Sequence, residues 1–219
     1  VAAMACGTSA PPQPAGPLPG FTMPPEWTPT PEESAVSVPG WQTLQGDQVA
    51  LMLPPVYEGG DPFVLGQEIA ARLDEMPEYV GIAQAIRENP HGYRLLAVDR
   101  QAGSIVAVTA HEVPTAISMA EYMDKFSAAS VEAAPGIALI QKGTVPFRDG
   151  EAGWMLFEFT HEDTVTWQLT YAVRRGDYVW NFSFGAARED YPQLQPIFDQ
   201  SLQTVRFTPR RGSRSGRPR

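Results

Sequence analysis

Between residues 41 and 208, apolar and polar positions alternate with two different periods, and the switches between them mark out the elements. WQTLQGDQVALMLP (41–54) reads as two short strands about a Gly46-Asp47 turn. Asp61 followed by Pro62 is a helix cap with proline in the first turn, and Leu65, Ile69, Leu73 and Met76 then recur at helical spacing. A second helix over 78–88 stops at Asn89-Pro90, because proline disfavours helical geometry in the residue before it. YRLLAVDR and GSIVAVTAHEV form a strand pair about Gln101-Ala102-Gly103. Ser118 and Glu121 make a capping box, S-M-A-E, opening a third helix. Its inner face is Met119, Met123, Phe126, Ser130 and Ala133, and Pro135-Gly136 ends it. Three aromatic-rich strands follow: AGWMLFEFT, TVTWQLTYAV and DYVWNFSFGA. A last helix spans Tyr191 to Gln203 with Leu194, Ile197, Phe198 and Leu202 inward, and Val205 and Phe207 close the domain. The order β-β-α-α-β-β-α-β-β-β-β-α predicts an α+β domain over 41–208: an antiparallel sheet of 6–8 strands covered by helices. No internal repeat is present.

Strand alternation places Met155, Phe157 and Phe159 on one face of their strand, and Trp154 and Leu156 on the other. Tyr178, Trp180, Phe182 and Phe184 share a face of the last long strand. A helix-covered sheet needs this many large side chains as core. Residues on an uncovered face would be exposed or rim a groove, so Trp154, Trp167, Trp180 and Tyr171 are the candidate partner or ligand surface. If they lined a cleft between sheet and helices instead, the chain would suit a carrier of a small hydrophobic ligand or lipid.

The first forty residues differ in kind. They hold 10 of the 22 prolines, and their only charges are Glu26, Glu32 and Glu33. Such a stretch cannot bury enough surface to offset its conformational entropy, so residues 6–40 are expected to be a disordered Pro-rich tether. The single cysteine, Cys6, stands in Ala3-Met4-Ala5-Cys6-Gly7, small residues directly before a cysteine as at the cleavage site of bacterial lipoproteins. Residues 1–5 then read as the remnant of a signal peptide, and Cys6 as a lipidated N-terminus. Two or three acyl chains anchor stably, each buried methylene contributing about 0.8 kcal/mol. The expected location is the extracytoplasmic face of a membrane or envelope.

The net charge of −9 argues against nucleic acid as a partner. Within 41–208 there are 11 Lys and Arg against 22 Asp and Glu, whereas 209–219 carries five arginines and no acid and reads as a flexible tail. One cysteine allows no internal disulfide, and no apolar run is long enough to span a bilayer. His161-Glu162-Asp163 could in principle bind a divalent cation, but three consecutive residues hardly converge on one ion, and the triplet reads as a hairpin turn. His91 and His111 are lone histidines. Arg175-Gly176-Asp177 contains a turn dipeptide rather than an adhesion motif, and Asn181-Phe182-Ser183 falls inside a strand. The nucleophile elbow, the phosphate-binding loop, the dinucleotide fingerprint and the metalloprotease and dithiol motifs are all missing. No catalytic residue, metal or cofactor is therefore assigned; a hydrolase would need a histidine and a carboxylate or hydroxyl converging in a cleft.

Several stretches resemble the PsbP-like superfamily: LMLPPVYEGGDP after a tryptophan-led first strand, AEYMDKF, the Trp/Tyr-rich meander, and PIFDQSLQTVRF. That superfamily includes the extrinsic photosystem II protein, a yeast Ran-binding import factor and bacterial lipoproteins of the LpqN type. The similarity covers roughly 41–208, and the bacterial members look most alike because they too follow a lipobox cysteine and a Pro-rich linker. The resemblance implies a fold and a non-enzymatic accessory or binding role, with the bilayer and an envelope or membrane protein as partners. It transfers no catalytic residue.

Overall fold

The computed structural model describes residues 21–24 and 36–208, except 134, 149 and 162. Gln42–Gln45 (β1) and Val49–Leu53 (β2) pair antiparallel across the expected turn, and Gln48 takes a positive φ there. Glu58–Gly60 (β3) leads into helix Pro62–Leu73 (α1), capped by the Asp61 carboxylate, which accepts the Phe63 N–H at 3.0 Å. A 3-10 turn at Pro77–Tyr79 precedes helix Val80–Glu88 (α2), which therefore starts later than the sequence pattern suggests. Leu95–Asp99 (β4) and Ser104–Glu112 (β5) form the predicted hairpin. Helix Met119–Ala133 (α3) is capped by the Ser118 hydroxyl, which accepts the Glu121 N–H at 3.2 Å. The expected reciprocal half of the box does not form, because Glu121 turns to Lys125 at 2.8 Å instead.

Ile137–Phe147 (β6), Gly150–His161 (β7), Thr164–Arg175 (β8) and Tyr178–Ala187 (β9) make an antiparallel meander. Helix Tyr191–Gln203 (α4) and the short strand Arg206–Phe207 (β10) complete the domain. Two sheets result: β1-β2-β10, and seven strands in the order β3-β4-β5-β9-β8-β7-β6. The seven-stranded sheet falls within the expected six to eight.

Both faces of that sheet are covered. On one, α1 and α2 bury Leu96, Val98 and Ile105, while α3 lies over β6, β7 and β8 and buries Met155, Phe157 and Val179. Gly153 in β7 leaves room for the α3 methionines: a Cβ there would run into Met123. The buried side of α3 is Tyr122, Met123 and Ser127, with Met119 and Phe126 half-buried; Ala133, expected inside, is exposed because the helix is leaving the sheet at its last turn. The other face is covered by the small sheet and α4, and holds the largest core, including Leu51, Leu95, Val106, Leu156, Phe184 and Phe198.

Candidate functional site: the groove beside α4

Three residues of α4, Tyr191, Gln195 and Asp199, follow at i, i+4 and i+8 and so share one stripe of the helix. Opposite them, β7 and β8 place Trp154 and Tyr171 as direct cross-strand neighbours. The third wall is the sheet edge β6, where Gly143 pairs with Trp154. Only glycine fits there, since a Cβ at position 143 would lie 2.9 Å from the indole ring.

Phe21–Pro24 occupies the groove so formed. The Phe21 ring is buried 5.8 Å from that of Trp154. Gln195, itself buried, accepts the Thr22 N–H at 3.1 Å and donates its amide to the Thr22 carbonyl. Gln141 of β6 donates to the Met23 sulfur at 3.4 Å. One side chain thus satisfies both main-chain groups of one residue, as a neighbouring strand would, while an aromatic pocket takes the side chain before it. These four residues lie within 6–40, the stretch expected to be a disordered Pro-rich tether, and in the structure they are held in the groove by Phe21 and Gln195.

Below the docked segment the groove is polar. The Tyr171 hydroxyl donates to the Asp199 carboxylate at 2.6 Å. Burial raises the Asp199 pKa to about 6, against a partial offset from that hydroxyl. Burial, and next to it the Asp199 charge, push the Tyr171 and Tyr191 phenols well up. Trp154 Nε1 and the Tyr191 hydroxyl are buried without a hydrogen-bond partner. Such orphans cost about 1–3 kcal/mol each.

The four aromatics expected on the surface are not there. Trp154, Trp167, Trp180 and Tyr171 are all buried, because the small sheet and α4 cover the face on which they lie. Trp154 and Tyr171 do meet at the groove; Trp167 donates to Glu158 at 3.0 Å, and Trp180 packs 5.1 Å from Phe207. Trp167 and Trp180 fill the core, whereas Trp154 and Tyr171, though buried, wall the groove between the sheet and α4. His91 stacks on Phe63, His111 bonds Thr109 near Phe126, and His161 ends β7; all three are exposed and sit on separate elements. Among the described residues, no three His, Cys, Asp or Glu side chains gather where they could hold a metal ion, and no helix is long and apolar enough to cross a membrane. Glu162, Cys6 and the 209–219 tail lie outside the described residues. The sequence reading missed Gln195, Asp199, Gly143 and Phe21. A Tyr-Gln-Asp stripe at four-residue spacing on a predicted helix was the available signal for the first two.

No protein-family model matches the chain, and no curated protein matches it in sequence. Solved structures do resemble it. The cyanobacterial PsbP of Synechocystis is 13% identical, covers 79% of this chain and 95% of its own, and superposes with a TM-score of 0.54. LpqN of Mycobacterium tuberculosis, described as involved in cell envelope biogenesis, is 11% identical over 77% of this chain and 91% of its own (TM-score 0.45). The Ran-binding protein Mog1p of Saccharomyces cerevisiae is 11% identical over 73% and 90% (TM-score 0.45). At 13% identity what the chain shares with the cyanobacterial PsbP is the architecture, a meandering antiparallel sheet between helices. The chain has the PsbP-like fold.

Proposed function

We propose that this is a lipid-anchored accessory protein of the bacterial envelope, whose domain holds an extended segment of a partner protein. The observation that carries this reading is the groove beside α4. It grips a stretch of polypeptide by its main chain, through a buried glutamine, and seats an aromatic residue on Trp154. Anchoring follows from the small-residue run before Cys6. An anchor raises the local concentration of the domain near membrane partners, and once a partner segment displaces Phe21–Pro24 a linker of about 34 residues would reach on the order of 30–35 Å. The acidic body favours a basic or polar patch on the partner.

The test is crosslinking in host cells carrying the full-length gene, followed by purification from solubilised membranes, with Cys6→Ala and Gln195→Ala alongside. The natural form should recover one envelope protein, Cys6→Ala should move to the soluble fraction, and Gln195→Ala should stay at the membrane but lose that protein. Natural protein found soluble without a specific partner would sink the proposal.

A further inference from the structure

On the face of the seven-stranded sheet opposite the groove, α1 lies over β3 and β4, and α3 over β6, β7 and β8. The strip between these two covers belongs to the central strands β5, β9 and β8. Their register sets Ala107 beside Ser183 and Ser183 beside Thr170, Thr109 beside Asn181, and Gly185 beside Gln168. On the groove side the same strands carry Leu169, Tyr171, Phe182 and Phe184. On this side the side chains are short or amide, and none of those six non-glycine residues is charged. Ala107, Thr109, Gln168 and Ser183 stay partly exposed, so the strip is an open trench rather than sealed core. A face meant only for water would carry long charged side chains instead.

The floor of the trench is a hydrogen-bond network. Thr170 and Ser183 share a bond at 2.8 Å, and Gln168 donates to the Thr170 hydroxyl at 3.2 Å, which leaves the Gln168 carbonyl and its second N–H in hand. Thr109 pairs with His111 Nε2 at 3.2 Å. Asn181, only 1% exposed, donates to the Tyr122 hydroxyl at 2.6 Å, and its Oδ1 finds no donor among the described residues. A buried acceptor of this kind costs free energy until something donates to it. Aromatic rings stand on both sides. Tyr122 and Phe126 of α3 stack with centres 5.7 Å apart, and the Tyr79 hydroxyl, from the turn before α2, lies 3.7 Å from where a Cβ on Gly185 would be.

We propose that this trench binds a neutral sugar. Hydroxyls and amides both donate and accept, as the hydroxyls of a sugar do, and the uncharged floor offers nothing to hold an ion. The main chains of β5, β9 and β8 are each paired on both sides, so only side chains are left to make contact. Side chains facing each other on neighbouring strands stand about 4.5–5.5 Å apart. The floor groups therefore spread in two dimensions, like hydroxyls around a ring, whereas the main-chain groups of a peptide lie along one line. The C–H faces of the sugar pack on Tyr122 and Phe126. Its deepest contact is Asn181 Oδ1, reached as the Tyr122 ring gives way. The groove beside α4 lies across the sheet, so this site stands or falls apart from it.

The probes are maltose, cellobiose and N,N′-diacetylchitobiose, titrated into the ¹⁵N-labelled full chain, with acetyl-tetraglycine amide as the peptide control. At least one disaccharide should shift the side-chain amide signals of Gln168 and Asn181 saturably at millimolar concentration, and the peptide should not. Gln168→Ala and Ser183→Ala should each weaken binding by about fivefold, as the loss of one neutral hydrogen bond implies. Ala107→Leu, which fills the trench with an apolar side chain, should abolish it. Urea midpoints measured alongside separate lost binding from lost folding, and where Ser183→Ala is unstable the partly exposed positions 107 and 168 carry the test. No shift with any of the three disaccharides, equal binding of the peptide, or unchanged affinity in folded Gln168→Ala and Ala107→Leu would overturn the proposal.

Discussion

Asp199 is the residue at which burial and charge conflict most openly. It sits on the sheet-facing side of α4 with the hydroxyl of Tyr171 from β8 as its donor and Tyr191 from its own helix nearby. Burial raises its pKa from 3.8 to about 6, so the folded state keeps a proton that the unfolded chain has released. The stabilisation is complete below the unfolded value and is lost as pH rises through the folded one. A shift of about two units corresponds to on the order of 3 kcal/mol. Asp199→Asn keeps an acceptor for Tyr171 and removes the titration. The urea midpoint of the natural protein, compared with that of Asp199→Asn, should therefore fall between about pH 4 and about pH 7. Parallel profiles for the two proteins would show that Asp199 carries no such linkage. None of this was legible in the sequence, where Asp199 is one of 22 acids in the domain and only the packing of α4 on β8 distinguishes it.

At the scale of elements, local signals read well and edges read badly. Asp61-Pro62 and Ser118 mark helix starts that the structure places where the caps stand, since capping is decided within a few residues. β6 received no boundaries from its sequence. It is an edge strand with only Val145 and Phe147 buried, and Gln141, Lys142 and Thr144 give it no clear apolar alternation. Yet this edge completes the groove, because Gly143 leaves space for Trp154. Gly143→Ala should push a buried, rigid indole aside. The expected loss is about 1–3 kcal/mol of stability, read by urea unfolding. It should also free Phe21, read as faster hydrogen exchange of the Thr22 amide. An unchanged midpoint and slow Thr22 exchange would mean that the indole has room to move and that the glycine is not needed.

Taken whole, the molecule brings both ends of the described chain to one face. Phe21 packs on Trp154 from the N-terminal side; Val205 is buried and Phe207 packs on Trp180 and Phe182 from the C-terminal side. These attachments differ in kind. The N-terminal one is a single aromatic and a glutamine pair laid over a finished core. The C-terminal one belongs to that core, since β10 pairs with β2 and holds the small sheet against the large one. Fully burying one large apolar side chain is worth about 1.5–3 kcal/mol, so buried Val205 with half-buried Phe207 supplies about 2–4 kcal/mol of a net stability near 5–15 kcal/mol. A chain starting at residue 36 should therefore remain folded, with a melting temperature lower by a few degrees and a groove open to a quencher at Trp154. A chain ending at Thr204 should lose cooperative unfolding or fail to fold. If the first truncation unfolds the domain, the Phe21 segment is a structural part of it and the groove cannot exchange its occupant for a partner. If the first folds and Trp154 is quenched, the domain stands without its strap and the groove is free to take another chain.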